Sequence, residues 1–400
     1  MKFTVLVIFL LIVITLYLSI DFHLGRKKHL TTVNKNRFPK RSGQLSLFTS
    51  GPLLMKQLFA DISHAKQHVH VLFYILKNDD ISQRFVDLLK KKSEEGVEVR
   101  LLLDRLGSVG FKQTHIEALK NSGVKFAFSR TPKLPFLFFS AQARNHRKIT
   151  IIDGTVGYIG GFNIAKEYID EEPKLSPWRD YHLKVTGQGV QDLQTQFLCD
   201  WLEATGELIQ CGGQYKQTGQ PGTQQYQLVP TEGVHLEEKF LSLIRCAKRT
   251  IVIGTPYFIP SELLLNGLLE ALKRGVNIHI ILPYQSDHVL VKEAAYPALR
   301  KLLSLGATVF QFHDGFFHAK YMLIDDEFLD IGTANFDKRS LFLNSEMNCY
   351  IFDQESIQQF KKSIQDDLAN STELSLQEIN SQNMGSRIRE LLATSLSTFL

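Results

Sequence analysis

His146-Arg-Lys148-Ile-Thr-Ile-Ile-Asp153, followed by Gly160-Gly161-Phe-Asn163, has a counterpart late in the chain. It is His318-Ala-Lys320-Tyr-Met-Leu-Ile-Asp325, followed by Gly332-Thr333-Ala-Asn335. His, Lys, Asp, Gly and Asn keep the same relative positions, 318 − 146 = 172 residues apart. One His-x-Lys-x4-Asp is a weak signal; a second with Gly and Asn at the same offsets is a repeat. His146 and Lys148 stand at i and i+2 beside the run Ile149, Thr150, Ile151, Ile152, so they share one face of a strand. An imidazole can attack or move a proton near neutral pH, and an ammonium can hold an anion. A lysine beside a histidine on a strand face is costly in a core; facing an anionic ligand, it has a use. The bland alternative is a duplicated structural hairpin, since Asp153-Gly154 and Asp325-Asp326 are good turn residues. That reading leaves both His-Lys pairs without a purpose.

The two motifs resemble the duplicated signature of the phospholipase D superfamily. The resemblance implies that the copies meet at an interface between two lobes and act there on a phosphodiester. One histidine would attack phosphorus to form a phosphohistidine; the other would protonate the departing alcohol and then deprotonate the incoming one. The residues leave open which attacks, and related two-copy enzymes commonly use the first, here His146. Lys148, Lys320, Asn163 and Asn335 are expected on the phosphate oxygens, where charge builds in the transition state. Gly160-Gly161 and Gly332-Thr333 would let the chain pass closely beneath the phosphate. Asp153 and Asp325 belong to the catalytic signature but end strands, and are expected to brace it rather than react. A neutral, oriented imidazole needs an acceptor on its other nitrogen. Asp180 in Trp178-Arg179-Asp180-Tyr181-His182 and Glu346 in Asn344-Ser345-Glu346 match the family's orienting positions, at different spacings, 180 − 146 = 34 and 346 − 318 = 28. The lysines supply countercharge, so no metal and no other cofactor is expected.

Within the superfamily, several stretches resemble bacterial cardiolipin synthases: Thr255-Pro-Tyr-Phe-Ile-Pro260, Gly315-Phe-Phe-His-Ala-Lys320, Ile331 to Glu346, and Leu103-Asp-Arg-Leu-Gly-Ser108. The resemblance runs from about Gly51 to Leu400, and it implies phosphatidyl transfer between two phosphatidylglycerols, giving cardiolipin and glycerol. Many members carry two N-terminal spans, whereas this chain shows one. The same residues would also serve a membrane-bound phospholipase D that hydrolyses headgroups. A nuclease would be expected to show a basic, aromatic groove and no span, so nucleic acid is not an expected partner. A catalytically dead scaffold is disfavoured because both copies keep His and Lys. The apolar run Leu134-Pro-Phe-Leu-Phe-Phe139 offers either an acyl-chain entrance or ordinary core.

The elements that must carry these residues are legible around them. Gly51 to Lys66, Ile81 to Glu95 and His115 to Ser122 have helical spacing, and His68 to Leu76, Val97 to Asp104 and Val124 to Phe128 read as strands. The second half repeats this with helices over Leu236 to Arg249, Leu263 to Arg274 and Val289 to Leu305, and strands from Thr250, Val276 and Ala307. Helix-stopping glycines recur at 275 − 96 = 179 and 306 − 123 = 183 residues. The expected fold is α/β: two similar phospholipase D-like lobes packed face to face, each a mostly parallel sheet flanked by helices. Val190 to Glu207 reads as a further helix, and the tail holds two helical candidates, Ser356 to Ala369 and Gly385 to Phe399. The last is amphipathic through Ile388, Leu391, Leu392 and Leu396, suited to packing on a lobe or to membrane contact. The expected division is an anchor over 1–22, a basic linker over 23–44, a first lobe over 45–210, a connection over 211–230 and a second lobe over 231–400.

Phe3 to Ile20 is apolar almost throughout, about the length that crosses a bilayer, and no Ala-x-Ala cleavage site follows it. Lys2 precedes it; Arg26, Lys27, Lys28, Lys35, Arg37, Lys40 and Arg41 follow, which places the large domain on the cytoplasmic side of a single-pass cell-membrane protein. The same cluster should attract anionic headgroups. At 400 residues, 44% hydrophobic and 22% charged, the rest is ordinary globular chain, and a formal charge of +5 permits anionic partners without demanding nucleic acid. Cys199, Cys211, Cys246 and Cys349 form no CxxC pair and read as free thiols.

Overall fold

The computed structural model describes residues 2–33, 36–209, 215, 222–381 and 384–399. Its sixteen-stranded sheet is symmetric about its middle, where Arg41–Ser50 pairs antiparallel with Gln224–Glu232. Outward from Arg41–Ser50 run Trp178–Gly187, Val156–Gly160, Ile149–Ile152, His68–Phe73, Glu98–Asp104 and Lys125–Ser129. Outward from Gln224–Glu232 run Ser345–Ile351, Phe328–Gly332, Tyr321–Ile324, Thr250–Gly254, Asn277–Pro283 and Thr308–Phe312, with short Ser371–Glu373 at the edge. Strand for strand, the second series repeats the first, so the duplication extends over both lobes.

The parallel layout expected for each lobe holds for the three strands beyond its motif hairpin, which helical crossovers connect, while Ser371–Glu373 adds antiparallel at the second lobe's edge. The motif strands depart from it. Ile149–Ile152 turns tightly into Val156–Gly160, and Tyr321–Ile324 into Phe328–Gly332, and every pairing these hairpins make is antiparallel. The lobes also meet differently from a face-to-face stack. They join edge to edge in one sheet and share a core in which Leu193 and Phe197 of the helix Val190–Thr205, and Phe360 and Ile364 of the helix Gln354–Ala369, meet strand residues of both lobes. The sheet's other face is covered separately in each lobe, by Gly51–Ser63, Asp80–Glu94 and Gln113–Asn121 and by Leu236–Cys246, Glu262–Lys273 and Val291–Ser304.

The N-terminal helix spans Lys2–Thr32, so the stretch expected as a basic linker over 23–44 is helix to Thr32 and strand from Arg41. The helix persists because its second half finds a surface to pack on. Asp21 is buried and accepts from the Phe139 N–H at 2.9 Å. A Cβ on Gly25 would lie 2.6 Å from Phe139 Cβ, so only glycine admits this approach. Arg26 donates to the Phe342 carbonyl, and His29 Nε2 lies 2.7 Å from the Glu232 carbonyl oxygen. The N-terminal part, Phe3 to Tyr17, is exposed, and the helix is long and apolar enough to cross a membrane. A strand begins at Gln224, within the stretch expected as the connection; of that stretch, 211–214 and 216–221 lie outside the described residues, as do Lys35 and Cys211. Cys199, Cys246 and Cys349 are free.

Candidate active site

Each histidine is held by the opposite lobe. The segment leading into the first motif lies beside the strand Ser345–Ile351, and the His146 N–H donates to the Ser345 carbonyl at 2.9 Å. The segment leading into the second lies beside Trp178–Gly187, and the His318 N–H donates to the Arg179 carbonyl at 2.7 Å. The next residue on each partner strand supplies a carboxylate. His146 Nδ1 lies 2.9 Å from Glu346 Oε2, and His318 Nδ1 lies 2.6 Å from Asp180 Oδ2. A carboxylate can only accept here, so Nδ1 carries the hydrogen and Nε2 keeps a free lone pair for chemistry.

The signature aspartates sit at the far ends of the motif strands, in left-handed backbone with φ of 52° at Asp153 and 54° at Asp325. Asp153 accepts from the N–H groups of Lys66, Gln67 and His68 at 2.8, 2.7 and 2.9 Å. Asp325 accepts from those of Lys248, Arg249 and Thr250 at 2.8, 2.7 and 2.8 Å. Each carboxylate thus fastens the motif strand to the start of its neighbour. At Asp325 burial raises the pKa, but the three N–H donors and Arg249 outweigh it and leave the group below its ordinary value.

Gly161 and Thr333, expected beneath the phosphate, touch the carboxylates of Asp180 and Glu346. A Cβ on Gly161 would overlap the Asp180 carboxylate. Thr333, at the same place in its copy, donates its hydroxyl to Glu346 Oε2 and accepts from the Met347 N–H at 2.9 Å. The asparagines are fixed by local bonds. Asn163 accepts from the Ile75 N–H at 3.0 Å and donates to Tyr168 Oη at 2.9 Å. Asn335 donates to Asp337 Oδ2 at 3.0 Å, and its buried Oδ1 has no partner among the described residues. Each amide nitrogen retains a second hydrogen for a ligand.

Both lysines are buried. Lys148 Nζ donates to the His146 carbonyl at 2.7 Å, and Lys320 Nζ lies 3.3 Å from Asp180 Oδ2 and also contacts His318 Nδ1 and its carbonyl. Burial drives Lys148 down to about 7; Glu346 opposes this, and Lys320 adds to it. Burial likewise lowers Lys320, against Asp180. It takes His318 to about 4, aided by Lys320, and lowers His146 against Glu346. Both carboxylates stay below their ordinary values although burial opposes it: Lys320 and His318 hold Asp180 down, and His146 and Lys148 hold Glu346 down. With both imidazoles neutral, the two lysines and two carboxylates of this buried patch balance, and an anion bound among them would favour the charged form of both lysines.

Sequence reasoning passed over three features. Arg147, the variable residue of the first motif, is fully buried. It donates to Asp200 Oδ1 and the Thr231 carbonyl at 2.7 Å, to the Glu346 carbonyl at 3.0 Å, and to Glu232. Its signal was the mismatch with Ala319 in the second copy. Asp104 accepts from the Asn145 N–H at 2.9 Å and from Arg144 at 3.2 Å, which gives Leu103 to Ser108 its structural role. Tyr74 and Trp178 flank the histidines, their rings 5.0 Å from His146 and 4.9 Å from His318. The apolar run 134–139 packs on the N-terminal helix, where Phe136 and Phe139 join Gly25 and Lys28 around a cavity of about 440 Å³ that no motif residue lines.

A family model described as "Cardiolipin synthase, PLD-like domain" matches residues 58–175 and 240–368. The chain is 40% identical over 400 residues to the minor cardiolipin synthase ClsB of Bacillus subtilis, covering 100% of both chains. It is 36% identical over 377 residues to a cardiolipin synthase of Oceanobacillus iheyensis, covering 93% of this chain and 78% of that one. Among solved structures, a phosphatidylserine synthase of Haemophilus influenzae superposes with a TM-score of 0.70 at 16% identity, covering 94% of this chain and 100% of that one, a likeness of fold. With both matched segments spanning the two motifs, the chain belongs to the cardiolipin synthase family of phospholipase D-like proteins.

Proposed function

We infer that the chain is a cardiolipin synthase, a membrane-associated phosphatidyltransferase that joins two phosphatidylglycerol molecules. The observation that carries the reading is the crossed pair His146–Glu346 and His318–Asp180, with both buried lysines beside it. Following the order common in related two-copy enzymes, His146 Nε2 attacks phosphorus, and the bond to the headgroup glycerol breaks as His318 gives that oxygen its proton. The terminal hydroxyl of a second phosphatidylglycerol then attacks, His318 takes its proton, and the phosphorus–nitrogen bond breaks to release cardiolipin. Lys148, Lys320 and the second hydrogens of Asn163 and Asn335 hold the non-bridging oxygens, while Asp180 and Glu346 stabilise the imidazolium each histidine becomes. Burial holds His318 near 4, so a phosphate bound beside it must raise its proton affinity for it to serve as the acid.

The apolar N-terminal helix associates the chain with the membrane, and the basic residues after it support a cytoplasmic placement of both lobes. The test uses the full chain in mixed micelles with glycerol-labelled phosphatidylglycerol. Cardiolipin with free labelled glycerol is the expected product; phosphatidic acid in its place would establish hydrolysis. With phosphatidylglycerol labelled on phosphorus instead, acid-labile label retained on His318→Ala and absent from His146→Ala supports this order of roles, and the reverse pattern exchanges them.

A further inference from the structure

The helix Met384–Leu396 is turned inside out for a water-soluble surface. Its polar side faces the second lobe: Arg389 Nε meets Glu293 Oε1 at 2.6 Å, Glu390 Oε2 meets Arg300 at 2.7 Å, and the small residues Ala393 and Ser397 are buried. Its large apolar residues face away. Met384 is 73% exposed, Ile388 55%, Leu391 70% and Leu392 52%. Spacings of 4, 3 and 1 put all four on one stripe. Ion pairs fix which side faces the lobe, so rolling the helix to hide the stripe would break them.

The end of this helix adjoins the N-terminal anchor. The Phe399 ring lies 5.3 Å from Phe22, two residues past the apolar stretch, and 5.6 Å from Phe138. Arg339 donates to the Phe399 carbonyl at 3.1 Å. The C-terminal end of this helix therefore lies beside the point where the anchor leaves its apolar segment, and exposed Arg387 stands next to the stripe in sequence. We infer that Met384–Leu396 is an interfacial helix that lies in the surface of the same bilayer the anchor enters, with Ile388, Leu391 and Leu392 among the acyl chains and Arg387 at the lipid phosphates. Thirteen residues give about 20 Å of contact along the surface. With the anchor as a second point of attachment, the lobes could not swing freely about a single helix.

This rests on membrane attachment and not on the reaction, so it can fail alone. The native tryptophans, Trp178 and Trp201, are buried away from lipid, so the new indole is read as the difference from the unsubstituted chain. Leu391→Trp is compared with Leu11→Trp, each in the full chain, in vesicles of phosphatidylcholine and phosphatidylglycerol with and without lipids brominated near the headgroup end of the chains. Expected is blue-shifted emission from Leu391→Trp, quenched by the brominated lipid. Unquenched emission from position 391, with Leu11→Trp quenched by deeply brominated lipid in parallel samples, overturns the proposal, whether the indole is in water or covered by a second protein copy. As a second measurement, Leu391→Asp/Leu392→Asp should keep its thermal unfolding in micelles, because these side chains are exposed, and lose turnover several-fold on vesicles but not in micelles. Equal turnover on vesicles overturns it.

Discussion

The Glu346 carboxylate lies 2.9 Å from Nδ1 of His146, 200 residues away in the chain, and Asp180 repeats the relationship with His318 at 2.6 Å. Neither half of the chain therefore contains a finished histidine. Each lobe provides an imidazole and the acceptor for the other's, so the duplication is complementary as well as repetitive. The exchange follows from the backbone, because each histidine's N–H bonds the carbonyl just before the carboxylate that orients its ring.

Glu346→Gln and Asp180→Asn should each lower kcat by about 10²–10⁴-fold, with a much smaller effect on KM. The amide can offer its oxygen to Nδ1–H but cannot stabilise the imidazolium formed during transfer. The measurement is steady-state turnover in mixed micelles. A rise in KM at constant kcat would assign these carboxylates to binding instead.

Lys148 sets a pH limit. Its pKa is about 7, far below the ordinary lysine value, chiefly through burial. Above that pH the amine is neutral, and capturing an anionic phosphate requires taking up a proton. The basic limb of kcat/KM should therefore fall from near pH 7, while kcat, which reports the phosphate-bound state, falls at higher pH. Stability runs the other way. Between pH 7 and about 10.4 the unfolded chain holds the proton that the folded chain has lost, so this residue's penalty is full below pH 7 and is relieved as pH rises. Lys148→Met should abolish turnover yet stabilise the fold by roughly 1–3 kcal/mol, read by thermal unfolding.

Much of this was readable from residue order. The duplicated His-x-Lys-x4-Asp, the helix spacings and the glycine stops were enough for two equivalent lobes, because each is a local periodicity. The antiparallel hairpins escaped because Ile149 to Ile152 looks the same whichever way its neighbour runs. Asp180 and Glu346 stood out as candidate partners for the histidines, but their exchange between lobes did not, since it depends on contacts between strands far apart in sequence. Gly161 and Thr333 showed by position that something packs closely there; only the fold identifies the carboxylates as what does. Residues 23–32 read as linker from their charge, since nothing local reveals the Phe139 surface that keeps them helical.

Arg147 should matter more to folding than its place as a variable motif residue suggests. It is the shared partner of Asp200, Glu232 and the Thr231 and Glu346 carbonyls, all without access to water. Arg147→Met leaves buried carboxylates uncompensated and should cost about 3–5 kcal/mol in denaturant unfolding. Arg147→Met/Asp200→Asn should recover part of that loss, while Glu232 keeps Arg130, 2.8 Å away. Recovery of stability without recovery of turnover would show that Arg147 also fixes the position of Glu346 through its carbonyl.

Asp325 separates bracing from chemistry. Its carboxylate holds three backbone N–H groups at the end of the motif strand opposite His318, and its pKa lies below the ordinary value. A carboxylate depressed in this way contributes stability above its unfolded pKa of about 3.9, and that contribution is lost as pH falls through the folded value. Asp325→Ala should cost roughly 1.5–3 kcal/mol and flatten the acid limb of the stability curve. Asp325→Asn, which keeps one accepting oxygen, should cost less. Both variants should turn over substrate at low temperature, where they remain folded, at rates far above those of His318→Ala. A folded Asp325→Asn as inactive as His318→Ala would mean that this carboxylate takes part in the reaction, a result its three backbone bonds argue against, since they leave it little freedom to reach the phosphate.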